Sequence, residues 1–150
     1  MADRTEPVTL AIFASSNKEY QIYTSIKQAT ERKYPNVKIN RQLLTIREAY
    51  QDPYADYKDI QREELPDSVA SVDAIILGGQ YQQTAGTLRD KLREKGKNGV
   101  QIIGIFENPN HPPSEEDIAA MDDRILSGYT ATTEELSDRI IEIYKKKNNI

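Results

Sequence analysis

Val72-Asp73-Ala74-Ile75-Ile76-Leu77-Gly78-Gly79 reads as a buried strand that stops at two glycines. A polar stretch follows, then Gly86-Thr87-Leu88-Arg89-Asp90-Lys91-Leu92, which reads as a short helix, and then a second apolar run over residues 100–106. Strand, glycine-rich loop, helix and strand together make one unit of a parallel sheet. In an open parallel sheet, ligands sit beyond the carboxyl ends of the strands, so residues 78–87 are the first place to look for function.

The same alternation runs outward in both directions. Residues 8–14 are almost continuously apolar, as befits a strand covered on both faces. Ser15, Ser16 and Asn17 then punctuate, and Ser16-Asn17-Lys18-Glu19 has the form of a capping box. The helix it opens carries Ile22, Ile26 and Ala29 on one face, with Tyr23 and Thr30 beside them. Val37 and Ile39 alternate with polar residues before Leu43 and Leu44, which suits an edge strand. Residues 45–71 combine Tyr50, Tyr54 and Tyr57 around Pro53 with dense charge over 56–64. Short helices are expected near 46–50 and 60–69, with Pro66 better placed at the start of a turn than in its middle. This segment reads as a solvated connection, the alternative being an ordered excursion over the ligand site.

Beyond the central unit, Gly96-Lys97-Asn98-Gly99 makes the turn into the strand at 100–106. Residues 107–113 form a rigid proline-rich loop, and Ser114-Glu115-Glu116-Asp117 starts a helix by serine-plus-acid capping. A short fifth strand is expected over 124–129. Thr132-Thr133-Glu134-Glu135 then caps a final helix whose Leu136, Ile140, Ile143 and Tyr144 face the sheet. Five strands alternating with helices predict a single α/β domain over residues 1–150, a three-layer sandwich with a mostly parallel sheet. The first, third and fourth strands are the most apolar, which fits the flavodoxin-like order 2-1-3-4-5.

Composition removes several classes of function. With 150 residues the chain can bury a real core. It has no cysteine, hence no disulfides, thiolate nucleophile or sulfur-ligated metal, which fits a reducing compartment. A net charge of −4 and a pI near 5.1 argue against nucleic-acid binding. No apolar run approaches a bilayer span, and residues 1–7 lack the apolar core of a signal peptide, so a cytoplasmic protein with no membrane partner is expected. Lys145-Lys146-Lys147 reads as the complement of a helix's negative end. His111 is the only histidine and sits in the proline-rich loop, so no metal site is expected.

The order 2-1-3-4-5 places its switch point between strands one and three, where two loops converge. One is Ser15-Ser16-Asn17, at a helix N-terminus whose free amides favour a phosphate or another anion. The other runs from Gly78 to Thr87. Gly78 and Gly79 permit close backbone approach, Tyr81 can stack on a flat ring, and Gln80, Gln82, Gln83 and Thr84 supply donors and acceptors for ribose or base. Glu107 and Asn108, past the fourth strand, are also placed for ligand contact. Such a lining suits a nucleoside, a nucleotide or a flavin.

Three family resemblances share these residues. Ser15-Ser16-Asn17-Lys18-Glu19 with the segment 77–92 resembles TIR-like domains, whose enzymes cleave the nicotinamide glycosidic bond of NAD with a glutamate in a Ser-x-Trp-x-x-x-Glu helix start. That register puts Ala85, Thr87 and Lys91 at the three motif positions, which implies a binding or interaction domain without the catalytic acid. Gly86-Thr87-Leu88-Arg89-Asp90 is similar to the Gly-Thr-x-x-Glu element of nucleoside 2-deoxyribosyltransferases, as are residues 102–106 and Thr133-Glu134-Glu135-Leu136. This resemblance implies chemistry at an N-glycosidic bond with Asp90 as the carboxylate that attacks or stabilises the sugar carbon, one methylene shorter than glutamate. Ala85-Gly86-Thr87-Leu88-Arg89 after the third strand also resembles flavodoxins and FMN-dependent quinone reductases. Against FMN, the first loop lacks their glycine and places Glu19 close to the phosphate. A response-regulator receiver is excluded, because Ser15-Ser16 and Gly78-Gly79 stand where it needs acids. The expectation is a nucleotide- or nucleoside-binding domain, catalytic at an N-glycosidic bond if an enzyme, with Asp90 as its acid. The rivals are an FMN-binding electron carrier and a non-catalytic TIR-like interaction domain that self-associates through residues 50–57.

Overall fold

The computed structural model describes residues 5–40 and 43–150. Residues 1–4, which open the stretch read for a targeting signal, and 41–42, within the region read as an edge strand, lie outside the described residues. Strands β1 (Leu10–Phe13), β2 (Leu44–Thr45), β3 (Ala74–Gly78), β4 (Gln101–Ile105) and β5 (Asp123–Ile125) form one sheet in the order β2-β1-β3-β4-β5. All four pairings are parallel, giving the flavodoxin-like topology expected. β1, β3 and β4 are central and covered on both faces, which is why their sequences are unbroken apolar runs. β2 has two residues and β5 three, so both edges are short.

The pleat sorts the strand residues into two cores. Leu10, Ile12, Ala74, Ile76, Ile103 and Ile105 face α1 (Asn17–Lys33) and α7 (Tyr129–Asn148). From those helices come Ile22, Ile26, Leu136, Ile140 and Tyr144. Ala11, Phe13, Ile75, Leu77 and Ile102 face the opposite layer. That layer comprises α2 (Ile46–Tyr50), α3 (Tyr57–Arg62), α4 (Asp67–Ala70), α5 (Ala85–Glu94) and α6 (Glu115–Ala120). At the amino ends of the central strands, Asp73 Oδ2 accepts from the Thr9 amide (2.8 Å) and Lys147 Nζ (2.9 Å). Lys147 also donates to Pro7 O, while Lys145 lies 4.9 Å over the Tyr34 ring.

Five local expectations change. The final helix starts at Tyr129, three residues before the Thr132-Thr133 pair, and β5 ends at Ile125 instead of running to 129. The two threonine hydroxyls donate backward, to Ser127 O (3.0 Å) and Tyr129 O (2.9 Å), inside the first turn. The helix expected over 60–69 is two helices, because Pro66 has no N–H and holds its predecessor away from helical backbone. Residues 79–84 form a 3-10 helix running straight into α5, where an open loop was expected. Residues 45–71 are no solvated connection. Ala55, Ile60, Leu65 and Val69 are buried in the core, and Lys91 Nζ reaches the carbonyls of Ile60 and Glu63 at the end of α3.

Candidate functional site: a tyrosine-lined cleft beside the switch point

The Ser15-Ser16 loop and the Gly78-Gly79 bend do meet at the β1/β3 switch point, but Glu19 lies between them. Its Oε1 accepts from the Ser15 amide (3.2 Å) and the Ser16 hydroxyl (3.3 Å), and Ser16 Oγ in turn accepts the Glu19 amide (3.2 Å). A Cβ built on Gly78 would stand 2.5 Å from Glu19 Oε2, and one on Gly79, where φ is +41°, 3.3 Å from the same atom. The close approach expected for a ligand is therefore made by the protein's own carboxylate. Two of the donors expected to hold a phosphate are taken by it. Asn108 packs beside Gly79, and Glu107 is exposed.

Open space lies next to this plug, on the β2 side. A cleft of 740 Å³ is lined by Ser15, Ser16 and Asn17 after β1, Tyr20 from the first turn of α1, and Thr45, Ile46, Arg47 and Glu48 around the start of α2. Pro53, Tyr54, Ala55, Asp56 and Tyr57 close one side, and Gln80 and Tyr81 of the 3-10 helix complete it. Tyr81 is only 4 % exposed and meets the Tyr57 ring edge-on, with centroids 6.4 Å apart at 86°. Tyr54 is 88 % exposed at the rim. Residues 53–57 thus make the segment an ordered wall of the cleft, the reading set second from sequence.

The polar groups of the cleft are unevenly satisfied. The Tyr20 oxygen accepts from the Ala14 amide (3.3 Å) and is also approached by the Ile46 amide, so its own proton is free to be donated. The Tyr81 hydroxyl has no hydrogen-bond partner among the described residues. Nor does the Arg47 guanidinium have a hydrogen bond or ion pair among them. The two acids are engaged: Glu48 Oε1 accepts from the Thr45 hydroxyl (3.1 Å) and Asp56 Oδ1 from the Lys58 amide (2.9 Å), each at a helix start. Burial pushes the Tyr20 and Tyr81 phenols above their ordinary range, with Arg47 opposing the shift in both. Both phenols are therefore protonated at neutral pH.

The remaining expected site residues lie elsewhere. Gly86, Thr87 and Asp90 line a second groove of 540 Å³ against α6, together with Arg93, Ser114 and Asp117. There the Gly86 amide donates to Asp117 Oδ1 (2.9 Å), so a carboxylate already occupies the start of α5. The Asp90 side chain is 75 % exposed and 3.9 Å from Arg93. Thr84 is internal, its hydroxyl donating to Tyr81 O (2.6 Å). Gln82 clamps the end of β4, donating to Ile105 O (3.0 Å) and Phe106 O (2.7 Å) and accepting from Arg124 Nε (3.0 Å). Gln83 donates to Pro112 O (3.2 Å). Of the residues expected to bind a ligand, the cleft assembles Ser15, Ser16, Asn17, Gln80 and Tyr81. Sequence reasoning missed Tyr20, Arg47, Asp56 and Tyr57. The signal for the last three was the tyrosine cluster interleaved with apolar Ile46, Ala49, Ala55 and Ile60.

No family model matches this chain. No curated protein matches it either. Among solved structures it is similar to a conserved protein from Enterococcus faecalis V583, at 12% identity and a TM-score of 0.48 over 88% of this chain and 99% of that one. So distant a likeness carries no argument about function, which has to come from the cleft's own chemistry. Among the described residues, no helix is long and apolar enough to cross a membrane.

Proposed function

We propose that this α/β chain binds a nucleoside or nucleotide in the cleft formed by Tyr20, Tyr57, Tyr81 and Gln80. One observation carries the reading: a nearly fully buried Tyr81 lines the cleft with its hydroxyl unpartnered among the described residues. The ring is buried while the hydroxyl reaches the solvent of the cleft, where a ligand acceptor can take the place of water. Aromatic faces supply area for a flat base, while Ser15, Asn17 and Gln80 supply polar contacts that fix orientation.

The proposal stops at binding. Cleavage at an N-glycosidic bond needs a carboxylate at the anomeric carbon, and Asp90 lines a different groove from the one holding the tyrosines. Lys91, at the place of the TIR-like glutamate, is engaged with the end of α3. Flavin binding is the weaker alternative, because Glu19 fills the place of the FMN phosphate at the start of α1.

Thermal shift and tyrosine fluorescence test the reading directly, since the chain has no tryptophan to mask its tyrosines. Adenosine, uridine, AMP and FMN are titrated against the protein. A nucleoside or AMP is expected to raise the melting temperature and quench tyrosine emission, with Tyr81→Phe weakening binding about tenfold. A yellow complex with FMN alone replaces the reading with the flavin one. Indifference to all four ligands together with concentration-dependent association favours the interaction domain.

A further inference from the structure

We propose that Arg47, with the hydroxyls of Tyr20 and Tyr81, forms an anion subsite in the cleft, and that the ligand's phosphate binds there and not at the start of α1. This rests on the nucleotide reading above and makes it specific: the ligand is phosphorylated, and its phosphate points toward α2.

Arg47 has neither hydrogen bond nor ion pair among the described residues. Tyr20 already takes amide donors on its oxygen, so its proton is left to give, and the Tyr81 hydroxyl is unpartnered. Tyr20, Arg47 and Tyr81 all line the one cleft, so the three groups face a common space. The neighbouring acids do not answer them, because Glu48 and Asp56 are held at their own helix starts. Three donors facing one cleft call for an acceptor with several oxygens and negative charge, and a phosphate meets that description. Meanwhile Glu19 spends its carboxylate on Ser15 and Ser16 and packs over Gly78, so a phosphate at α1 would face a fixed negative charge.

The test compares adenosine, AMP and ribose 5-phosphate by calorimetry on the wild type, Arg47→Gln, Tyr20→Phe, Tyr81→Phe and Glu19→Gln. Circular dichroism checks that each variant is folded, and Arg47, being exposed, is the safest of them. AMP is expected to bind at least about tenfold tighter than adenosine, a preference that Arg47→Gln abolishes and either phenylalanine reduces severalfold. It should also fall with added salt. AMP preference that survives Arg47→Gln, or that rises sharply only in Glu19→Gln, places the phosphate elsewhere and overturns the proposal. Equal binding of adenosine and AMP also overturns it while leaving the nucleoside reading standing. Ribose 5-phosphate binding that depends on Arg47, with no binding of adenosine, keeps the subsite and removes the base from the reading. No binding of any of the three removes both.

Discussion

Gly78→Ala isolates the contact between Glu19 and the double-glycine bend. Gly78 has φ −81° and ψ 136°, which alanine adopts freely, so the cost lies in the new methyl and not in the backbone. That methyl would stand 2.5 Å from Glu19 Oε2, 2.8 Å from its Cδ and 3.1 Å from Ala14 Cβ. The carboxylate must swing away, giving up its bonds to the Ser15 amide and Ser16 hydroxyl. Two exposed hydrogen bonds, with the cost of moving the carboxylate, are worth about 1–2 kcal/mol, and the lower chain entropy of alanine in the unfolded state returns about 0.5. Gly78→Ala should therefore destabilise by about 1 kcal/mol, a fall of about 2–4 °C in melting temperature. In a Glu19→Ala background the carboxylate is gone and only the 3.1 Å approach to Ala14 Cβ remains, so Gly78→Ala should cost clearly less than in the wild type. Urea denaturation followed by far-ultraviolet circular dichroism on the four proteins gives the coupling directly. Costs that add to within about 0.3 kcal/mol would refute the claim that Glu19 fills the switch point.

Three further outcomes follow from the packing. Tyr50 has a buried hydroxyl without a partner, and burial, reinforced by Asp59 and Glu63, pushes its phenol up to about 12. Tyr50→Phe should stabilise by about 1 kcal/mol at neutral pH. Because the folded value lies above the unfolded one near 10, stability is intact below about pH 10 and falls as pH rises toward 12; denaturation curves of Tyr50→Phe should show a shallower fall. Gly104→Ala would set a methyl 2.7 Å from Met121 Sδ and 2.9 Å from Gln82 Oε1, breaking into the clamp on β4; a loss of about 2–3 kcal/mol in urea denaturation is expected. Lys91→Met removes the ammonium from the carbonyls of Ile60 and Glu63, at a cost of about 1–2 kcal/mol, and amide exchange should quicken in α3 first.

The sheet was legible because covered parallel strands cannot hide their composition: β1, β3 and β4 stand out as apolar runs, and the edges stand out by contrast. The helix starts at Ser16 and Ser114 were legible because the cap residue and its acid are three positions apart. Residues 79–84 were not, since two glycines followed by polar residues look like a loop when what orders Gln82 lies in β4 and β5. The cleft was half legible. Its Ser15-Asn17 and Gln80-Tyr81 walls follow from topology, whereas Arg47 and Tyr57 arrive through a segment whose burial depends on Ile60, Leu65 and Val69 meeting the sheet. Glu19 shows how local and tertiary meanings part company. Its capping role is written in four consecutive residues, but its occupation of the phosphate place depends on a glycine fifty-nine positions away.

α1 and α7 lie against each other, with Lys33 bonded to Glu134 O and Asp138, and Ser25 to Tyr129. The helix that follows the first strand therefore shares its half of the interior with the helix that follows the fifth. During synthesis Ile22 and Ile26 emerge more than a hundred positions ahead of the Leu136 and Ile140 that complete their surroundings. A nascent chain holding only the first four strands would carry a greasy, half-built wall. Such a topology makes acquisition of the native state an all-or-nothing event governed by distant partners, and fragments cut before α7 should cling to chaperones.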